Sequence, residues 1–347
     1  MARALNCAVA IAALSVAAPA LAADYYDIPE LRPAYPDSWE DGEDNPLRFE
    51  AGLRYWYSVG RMNLSVGSDE ENINTKTHSG EAFLRIDDDS TSTFVEATAG
   101  YGVAHEGTYS INGGPDITLP AARLGYAGAD FGWLPFGDPK GGVGLGAVVG
   151  YQYTNDSPDT GRANFTTAET SADIAWSADT GLWSVGGDSE TNDFNIHEAK
   201  IGLAGRADLG AFDLTGEATV TPYAWVHGTY GAYGSSSVSN GVQTSMQSSA
   251  TSINGFAYGA AGKLMVGFHP TDNFTIRLGG RASYLQGAYD ATFNRATINH
   301  PAALPGPIPP GDPAFSAPTL AQQTYIIDNN PFSMFRYGAL VELSGRF

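Results

Sequence analysis

Apolar and polar residues alternate with a period of two along most of the chain. Residues 335–347 show the pattern clearly, with apolar or small side chains at the odd positions and Arg336, Glu342 and Arg346 among the even ones. Successive side chains of a β-strand point to opposite faces, so this period predicts a strand with one apolar and one polar face. Nine further segments repeat the pattern, and the chain is therefore predicted to be all-β.

The predicted strands are joined by connections of two kinds. Strands are predicted at residues 49–59, 81–87, 95–101, 123–133, 143–153, 195–207, 212–226, 256–268, 274–284 and 335–347. Tight turns are predicted at residues 87–91, 136–141, 208–211 and 269–273, and long loops at residues 67–79, 103–120, 154–192, 228–254 and 287–331. Short connections that alternate with long ones, and an even strand count, are typical of transmembrane β-barrels.

A sheet that spans a membrane must also close on itself, because lipid offers no hydrogen bonds to a free sheet edge. We therefore expect a transmembrane antiparallel up-and-down β-barrel over residues 47–347, with about ten strands. Eight and twelve strands stay open as alternatives, since strand boundaries taken from one sequence are loose by a few residues. Residues 172–183 also show some alternation and are the place where a further hairpin would lie.

The first 22 residues have the features of an export signal. Arg3 gives a short basic start, residues 8–18 are apolar, and Ala20 and Ala22 supply the small-x-small cleavage pattern. The apolar stretch is too short for a spanning helix. We expect residues 1–22 to be a signal peptide that is cleaved after Ala22 or one residue later, and the chain to be exported.

Residues 23–46 form a different kind of segment. They are rich in proline and in acidic residues and show no periodicity, which predicts an extended periplasmic lead-in rather than a folded domain. The single cysteine of the chain, Cys7, lies within the signal, so we expect no disulfide in the exported protein.

Composition fits a membrane barrel better than a soluble domain. The chain has 42 Gly, 18 Tyr, 16 Phe and 6 Trp but only 18 Lys and Arg together, and aromatic residues are expected at both interfaces of a barrel. The net charge of -20 argues against nucleic-acid binding, which needs clustered cations. The same charge is compatible with divalent cations or extracellular ligands at acidic loops, and it leaves the oligomeric state open.

The last predicted strand ends on an aromatic residue. Phe347, together with Leu343, Val341 and Tyr337, resembles the C-terminal signature of outer-membrane β-barrel proteins. The resemblance implies that these residues form an assembly signal that the barrel-assembly machinery reads. It also implies a position in the outer membrane of a Gram-negative bacterium, where the lipid is a partner of the outer face.

The layout of residues 47–347 is similar to that of the omptins, ten-stranded outer-membrane proteases of similar length. The stretches alike in pattern are residues 144–153, 201–226 and 257–284. Omptin chemistry needs a pair of aspartates at one rim and an Asp-x-His opposite, and this chain has no Asp-x-His; Trp225 stands two residues before His227. We therefore expect no enzymatic activity, and an omptin-like surface hydrolase is the second alternative.

No other motif indicates catalysis. The six histidines are scattered along the sequence, without a pair at the spacing of metal ligands. The run Asp87–Asp89 lacks the spaced acids and the distal Glu of a calcium loop, and we interpret it as a polar turn. We expect no cofactor and no metal.

The polar faces of the predicted strands hold most of the few cations of the chain. The predicted lumen charge network consists of Arg54, Arg85, Glu96, Arg123, Glu198, Lys200, Glu217, Arg277, Arg281, Arg336 and Glu342. An arginine on the lipid face near the midplane costs roughly 2–4 kcal/mol, and a barrel of about eight strands has just enough interior for side chains. We therefore expect a lumen largely filled by paired charges and a non-enzymatic, structural or surface-interaction role. A narrow channel or porin with an Arg-lined, anion-preferring lumen is the first alternative.

Overall fold

The structure is a computed structural model that describes residues 46–137, 142–160, 174–177, 182–185, 192–230, 237–239, 242–271, 273–299 and 319–347. In chain order its strands are β1 Leu47–Val66, β2 Asp69–Asp88, β3 Thr93–Ile111, β4 Ile117–Thr118, β5 Ala121–Gly137, β6 Val143–Asp159, β7 Ile174–Ser177, β8 Leu182–Val185, β9 Asp193–Asp208, β10 Phe212–Thr229, β11 Ser237–Ser239, β12 Val242–Gln247, β13 Ser252–Thr271, β14 Phe274–Asn299 and β15 Thr319–Arg346. Among the described residues, no helix is long and apolar enough to cross a membrane. The predicted signal peptide and almost all of the predicted lead-in lie outside the described residues.

Ten long strands close into a ring. Each pairs antiparallel with the next in the order β1, β2, β3, β5, β6, β9, β10, β13, β14 and β15. The second edge of β15 pairs with β1, from Glu50 opposite Arg346 to Leu64 opposite Phe332. Because first and last strands meet, the ring has no free edge. This closure confirms the predicted antiparallel up-and-down barrel of about ten strands.

The five short strands lie outside the ring order. β4 pairs with β3, β12 pairs with β14, and β11 pairs with β12. β7 and β8 form a separate antiparallel pair. This pair lies in the predicted loop 154–192, in the region where alternation had left a further hairpin open.

One end of the barrel, termed the proximal end, holds both termini of the barrel segment. The backbone amide of Phe347 donates to the carbonyl of Phe49 at 2.9 Å. The β2–β3 and β9–β10 turns lie at this end, as predicted; the predicted turns at residues 136–141 and 269–273 are only partly described. In the β9–β10 turn Gly210 has a φ of 80°, a left-handed conformation that favours glycine.

The β2–β3 turn is held by one carboxylate. Asp88 accepts hydrogen bonds from the backbone amide and the hydroxyl of Ser90 at 2.9 and 2.6 Å, and from the hydroxyl of Thr91 at 2.9 Å. These bonds hold the pKa of Asp88 below its ordinary value. Asp89 pairs with Arg48 at 2.6 Å. The acidic run is therefore a turn whose side chains bind neighbouring protein groups, in agreement with its interpretation as a polar turn.

At the opposite, distal end the strands run farther than the sequence predicted. β1 continues to Val66 and β2 begins at Asp69, so the predicted loop at residues 67–79 is wrong. Gly67, with a φ of 61°, and Ser68 alone connect these two strands. β14 and β15 also occupy most of the predicted loop at residues 287–331.

The outer face of the proximal half carries a continuous apolar belt. Exposed members include Leu53, Leu84, Val95, Val149, Ile201, Leu203, Val220, Leu264, Leu278 and Leu343. Exposed aromatic rings border the belt, with Phe49, Trp133, Phe212, Phe268 and Phe274 on the proximal side and Tyr55, Tyr101, Tyr151, Tyr223, Tyr258 and Tyr284 on the distal side. On β1 the belt extends from Leu47 to Tyr55, which fits the ~9–11 residues of a tilted membrane strand. An apolar surface of this extent needs apolar surroundings.

Candidate functional site

The barrel interior is the candidate functional site, because the strand alternation turns most of the predicted charged residues into it. The predicted residues that lie inside are Arg54, Arg85, Glu96, Glu198, Lys200, Glu217, Arg277, Arg281, Arg336 and Glu342. On β1, for example, buried Arg54 lies between the exposed side chains of Leu53 and Tyr55. These residues and their partners form the ionic layer, which fills the proximal half of the interior.

Arg54 is the first centre of the ionic layer. Its Nη1 and Nη2 groups donate to Glu81 and Glu96, each at 2.8 Å. Its Nε donates to Glu342 at 2.5 Å. A guanidinium presents five N–H donors in a rigid fork, so one arginine can serve several carboxylates at once. The pairing joins β1, β2, β3 and β15 and lies where the ring closes.

Arg277 on β14 is the second centre. Its Nη2 donates to Asp213 at 2.9 Å, and its Nη1 donates to Glu50 and to Glu342. The hydroxyl of Ser344 also donates to Glu50, at 2.6 Å. Glu342 therefore bridges the two arginine centres, and its buried charge is compensated from both sides.

A lysine extends the layer across the barrel. Glu96 accepts from the Nη1 of Arg85 at 3.3 Å and from the Nζ of Lys263 at 3.4 Å. The same Nζ lies 3.4 Å from Glu217. The layer thus connects β2 and β3 with β10 and β13, which lie far apart in the ring order.

Two further ion pairs lie on the distal side of this layer. Lys200 on β9 pairs with Asp130 on β5 at 2.8 Å. Arg336 on β15 pairs with Asp156 on β6 at 2.8 Å. The second pair joins strands that are not neighbours in the ring, so its side chains cross the lumen.

Arg281 combines an ion pair with aromatic contacts. Its Nη1 lies 3.2 Å from Glu81, and its guanidinium carbon lies 3.8 Å from the ring centroid of Trp56. Stacking of this kind suits the planar guanidinium and covers its faces from water. Glu198 has a different partner, since the hydroxyl of Thr221 donates to it at 3.2 Å.

Arg123 does not belong to the network, and its prediction as a lumen residue is wrong. Its neighbours Ala122 and Leu124 are buried in the interior, whereas Arg123 is exposed on the outer face of β5. Its backbone pairs with Val103, which is also exposed. Arg123 lies distal to the aromatic border, where an outward arginine meets no apolar belt.

Sequence reasoning missed several partners in the ionic layer. They are Glu50, Glu81, Asp130, Asp156, Asp213 and Lys263. Three of them, Glu50, Glu81 and Asp213, have the same strand parity as a predicted residue of their own strand, so alternation was a sufficient signal for these. The acids of the layer outnumber those predicted, which explains how the predicted cations find partners.

The distal half of the interior is filled mainly by apolar side chains, with buried Glu71 and Thr75 on the same inner face as Ile73, and sequence reasoning also missed this filling. This cluster, termed the apolar plug, consists of Met62, Leu64, Val66, Ile73, Tyr109, Leu119, Ala122, Phe194, Ile196, Ala224, Val226, Tyr230, Ile253, Ala257, Leu285, Tyr289, Ala291 and Phe332. Its described members come from every ring strand except β6, so the side chains meet from nearly all sides. The hydroxyl of Tyr289 donates to the carbonyl of Ser65 at 2.9 Å.

Glycines on the inner face make room for large rings in the ionic layer. A Cβ at Gly100 would collide with the ring of Tyr126, and a Cβ at Gly132 would collide with the ring of Phe94. Tyr126 packs edge-on against Trp56 with ring centroids 5.9 Å apart. Part of the high glycine content therefore serves the close packing of the lumen.

Two small cavities lie in the described part of the interior. The larger cavity, of about 120 Å³, lies between the ionic layer and the apolar plug and touches Trp56, Tyr126 and Lys200. A second, of about 50 Å³, lies deeper in the ionic layer. A water molecule has a share of about 30 Å³ in the liquid, so these spaces hold a few waters and are far smaller than a channel.

The predicted assembly residues all lie on the outer face of β15 or at its end. Phe347 is 84% exposed, and Leu343, Val341 and Tyr337 are also exposed. Their side chains therefore form one continuous surface beside β1. Whether assembly factors read this surface stays a prediction.

The histidines, scattered in sequence, are partly paired in space. His78 and His105 lie with ring centroids 4.3 Å apart, and His197 and His227 lie 5.3 Å apart. Both pairs are on the outer face at the distal border of the belt, among tyrosines and Trp225. Within the described part of the chain, no group of three or more His, Cys, Asp or Glu could hold a metal ion.

Similarity to known proteins is found among solved structures and not among family models or curated sequences. No protein-family model and no curated protein matches the sequence. Among solved structures, the chain is similar to the outer membrane protease OmpT from Escherichia coli, with 9% identity over 87% of this chain and 96% of that one and a TM-score of 0.48. It is also similar to the translocator domain of the autotransporter NalP from Neisseria meningitidis, with 12% identity over 89% and 91% of the two chains and a TM-score of 0.31.

A third similar structure is the P. putida toluene transporter TodX, with 10% identity over 87% of this chain and 90% of that one and a TM-score of 0.25. The three proteins have different activities in their descriptions. At these identities and TM-scores, the similarities decide neither the activity nor a ligand of the chain.

Proposed function

We propose that the chain is an integral β-barrel of the outer membrane of a Gram-negative bacterium, with a closed interior and a non-enzymatic, structural or surface-interaction role. The apolar belt between two aromatic borders supports the membrane position, because such a belt is what lipid requires of a barrel. Outer-membrane lipid is then the partner of the belt, and the barrel-assembly machinery is the partner of Phe347 and its neighbours. The distal end faces outward from the cell, since the short turns of such barrels face the periplasm.

The closed interior is supported by the two different sets of side chains that fill the proximal and the distal half of the lumen. The ionic layer occupies the proximal half with ion pairs that cross the lumen, such as Lys263 with Glu96 at 3.4 Å. The apolar plug occupies the distal half. An ion on its way through the barrel would have to break the first layer and enter the second without hydration, which is costly in both steps.

The non-enzymatic role is supported by the state of the interior carboxylates. Glu50, Glu81, Glu96, Asp213 and Glu342 are each engaged by an arginine or a lysine. A general acid or base needs a group that is free to exchange a proton with a bound substrate. Incubation of the purified barrel with peptides should give no cleavage products, and turnover above that of a heat-unfolded sample would favour the hydrolase alternative.

The experiment that tests the closed interior is conductance of the refolded barrel in a planar lipid bilayer. We expect no steady current above leak for the unchanged chain. The double variant Arg277→Ala/Arg281→Ala should also stay silent, because the apolar plug remains, but it should lose its folded form at a lower temperature. Arg61→Ala/Arg123→Ala, which removes two exposed arginines, is the matched control for both measurements. A steady, anion-selective current through the unchanged chain would favour the channel alternative instead.

A further inference from the structure

One buried arginine of the barrel interior takes no part in the ionic layer. Arg206 lies on the inner face of β9, two residues before the strand ends at Asp208. It is only 6% exposed. Its backbone pairs with Gly144 on β6 and Thr215 on β10. The guanidinium is therefore inside the barrel near the proximal end.

Arg206 has no direct ion-pair partner among the described residues, although Asp87 and Asp213 are close enough to act on it. It forms no ion pair there, and its buried Nε has no hydrogen-bond partner. The charged side chains that act on it most strongly are two further cations, Arg85 and Arg346. An uncompensated buried charge is unfavourable, and proteins normally pair it or bring an ion to it.

The acids close to Arg206 are already bound elsewhere. Asp87 pairs with Arg85 at 2.8 Å, and Asp213 pairs with Arg277 at 2.9 Å. Neither carboxylate forms an ion pair with Arg206. Within the described part of the chain, the Arg206 guanidinium is therefore left open to a ligand that carries negative charge.

A cavity lies beside the side chain of Arg206. The space of about 50 Å³ in the ionic layer is lined by Arg206 and by four other cations, Arg54, Arg85, Lys263 and Arg277. Four carboxylates line it too, namely Glu50, Glu96, Glu217 and Glu342, and each has an arginine or lysine partner. Among these charged lining residues, Arg206 alone forms no ion pair. Its guanidinium is therefore the group that is open to an anion.

We infer that Arg206 binds a small monovalent anion of halide size, with chloride as the representative ion, in this cavity. A space of about 50 Å³ holds a few water molecules or one small ion and is too small for nucleotides, lipid headgroups and sugars. Arg206 supplies the guanidinium N–H donors, and Arg85 adds positive charge from the side of β2. The site is closed toward the distal end by the rest of the interior, so the ion is a resident part of the fold and is not in transit.

The first test follows thermal unfolding of the full chain in detergent while chloride replaces gluconate at constant ionic strength. The unchanged chain and the exposed control Arg123→Gln should unfold at temperatures that rise by roughly 5 °C and level off with chloride, since a ligand that binds only the folded state stabilises it. Arg206→Gln should show no chloride dependence. An equal chloride response in Arg206→Gln, or no difference between chloride and gluconate in the unchanged chain, overturns the site.

The second test needs no variant and stays valid if Arg206→Gln does not fold. Crystals of the unchanged chain grown with bromide in place of chloride should show an anomalous peak in hydrogen-bond contact with Arg206. A map at saturating bromide without a peak in this cavity overturns the proposal. Neither test depends on whether the barrel conducts.

Discussion

At the scale of single residues, an odd or even position along a strand decides whether a side chain points into the lumen or outward. Most charged side chains that point into the lumen meet side chains of opposite charge there. The period of two was sufficient to predict that Arg54 and Arg277 point inward, and both lie in the interior with several carboxylates. It failed for Arg123, whose strand was assigned the wrong polar face at its distal end. Parity does not say which side chains meet across the lumen, because the contact of Arg54 with Glu342 depends on how β15 returns to β1.

Removing the side chain of Arg54 should be far more damaging than removing an exposed arginine. Arg54→Met leaves Glu81, Glu96 and Glu342 with fewer partners in a confined interior, and breaking a buried pair in this way typically costs about 3–5 kcal/mol. The variant should therefore lose its folded, heat-modifiable band on a gel at a markedly lower temperature. Arg123→Met is the control and should behave like the unchanged chain. Equal melting of the two variants would contradict the role of Arg54 as a centre of the ionic layer.

At the scale of a strand, the polarity of the two faces inverts along its length. On β1 the outer face is apolar near Leu53 and polar near Asn63, while the inner face changes from Arg54 to Leu64. The outer face follows its surroundings, lipid and then water, and the inner face takes the complementary filling. The sequence therefore predicted the strand cores but not their distal ends, where polar outward residues were interpreted as loops. The apolar residues at the inward positions of these distal ends were visible in the sequence, because they continue with the same period of two.

The apolar plug should stabilise the distal half on its own. Leu64 is 1% exposed in the plug, whereas Leu53 is 68% exposed in the belt. Leu64→Ala should lower the free energy of unfolding by about 2–5 kcal/mol, as is usual for a buried leucine, and should speed protease cleavage between Gly60 and Ser79. Leu53→Ala is the matched control, with a smaller effect on both measurements. A resistant distal half in Leu64→Ala would show that the plug is not needed there.

At the end of β15, the role of the Phe347 backbone can be tested separately from the role of its side chain. The backbone of Phe347 exchanges hydrogen bonds with that of Phe49, at 2.9 and 3.3 Å, while its ring projects outward. Phe347→Ala keeps the backbone bonds and removes only the ring, whereas deletion of Phe347 removes both. If the ring is part of the assembly signal, both variants should lower the yield of folded barrel in the membrane, although Phe347→Ala refolds normally in detergent. Normal membrane yield of Phe347→Ala would mean that the ring is incidental.

At the scale of the whole molecule, the position of the apolar belt gives the barrel a direction. The belt lies in the proximal half, next to the short β2–β3 and β9–β10 turns, and the strands continue distally well beyond it. A barrel with its belt at one end projects the other end into water.

This direction predicts which turns an antibody can reach on intact cells. The exposed turn at Gly113 and Gly114, after β3, lies at the distal end, and the exposed turn at Gly210 lies at the proximal end. A peptide tag inserted at Gly113 should be labelled on intact cells, because the distal end lies outside. The same tag at Gly210 should be labelled only after the outer membrane is made permeable, and the heat-modifiable band of both variants shows that each has folded. Labelling of Gly210 on intact cells, with Gly113 protected, would reverse the orientation and place the apolar plug on the periplasmic side.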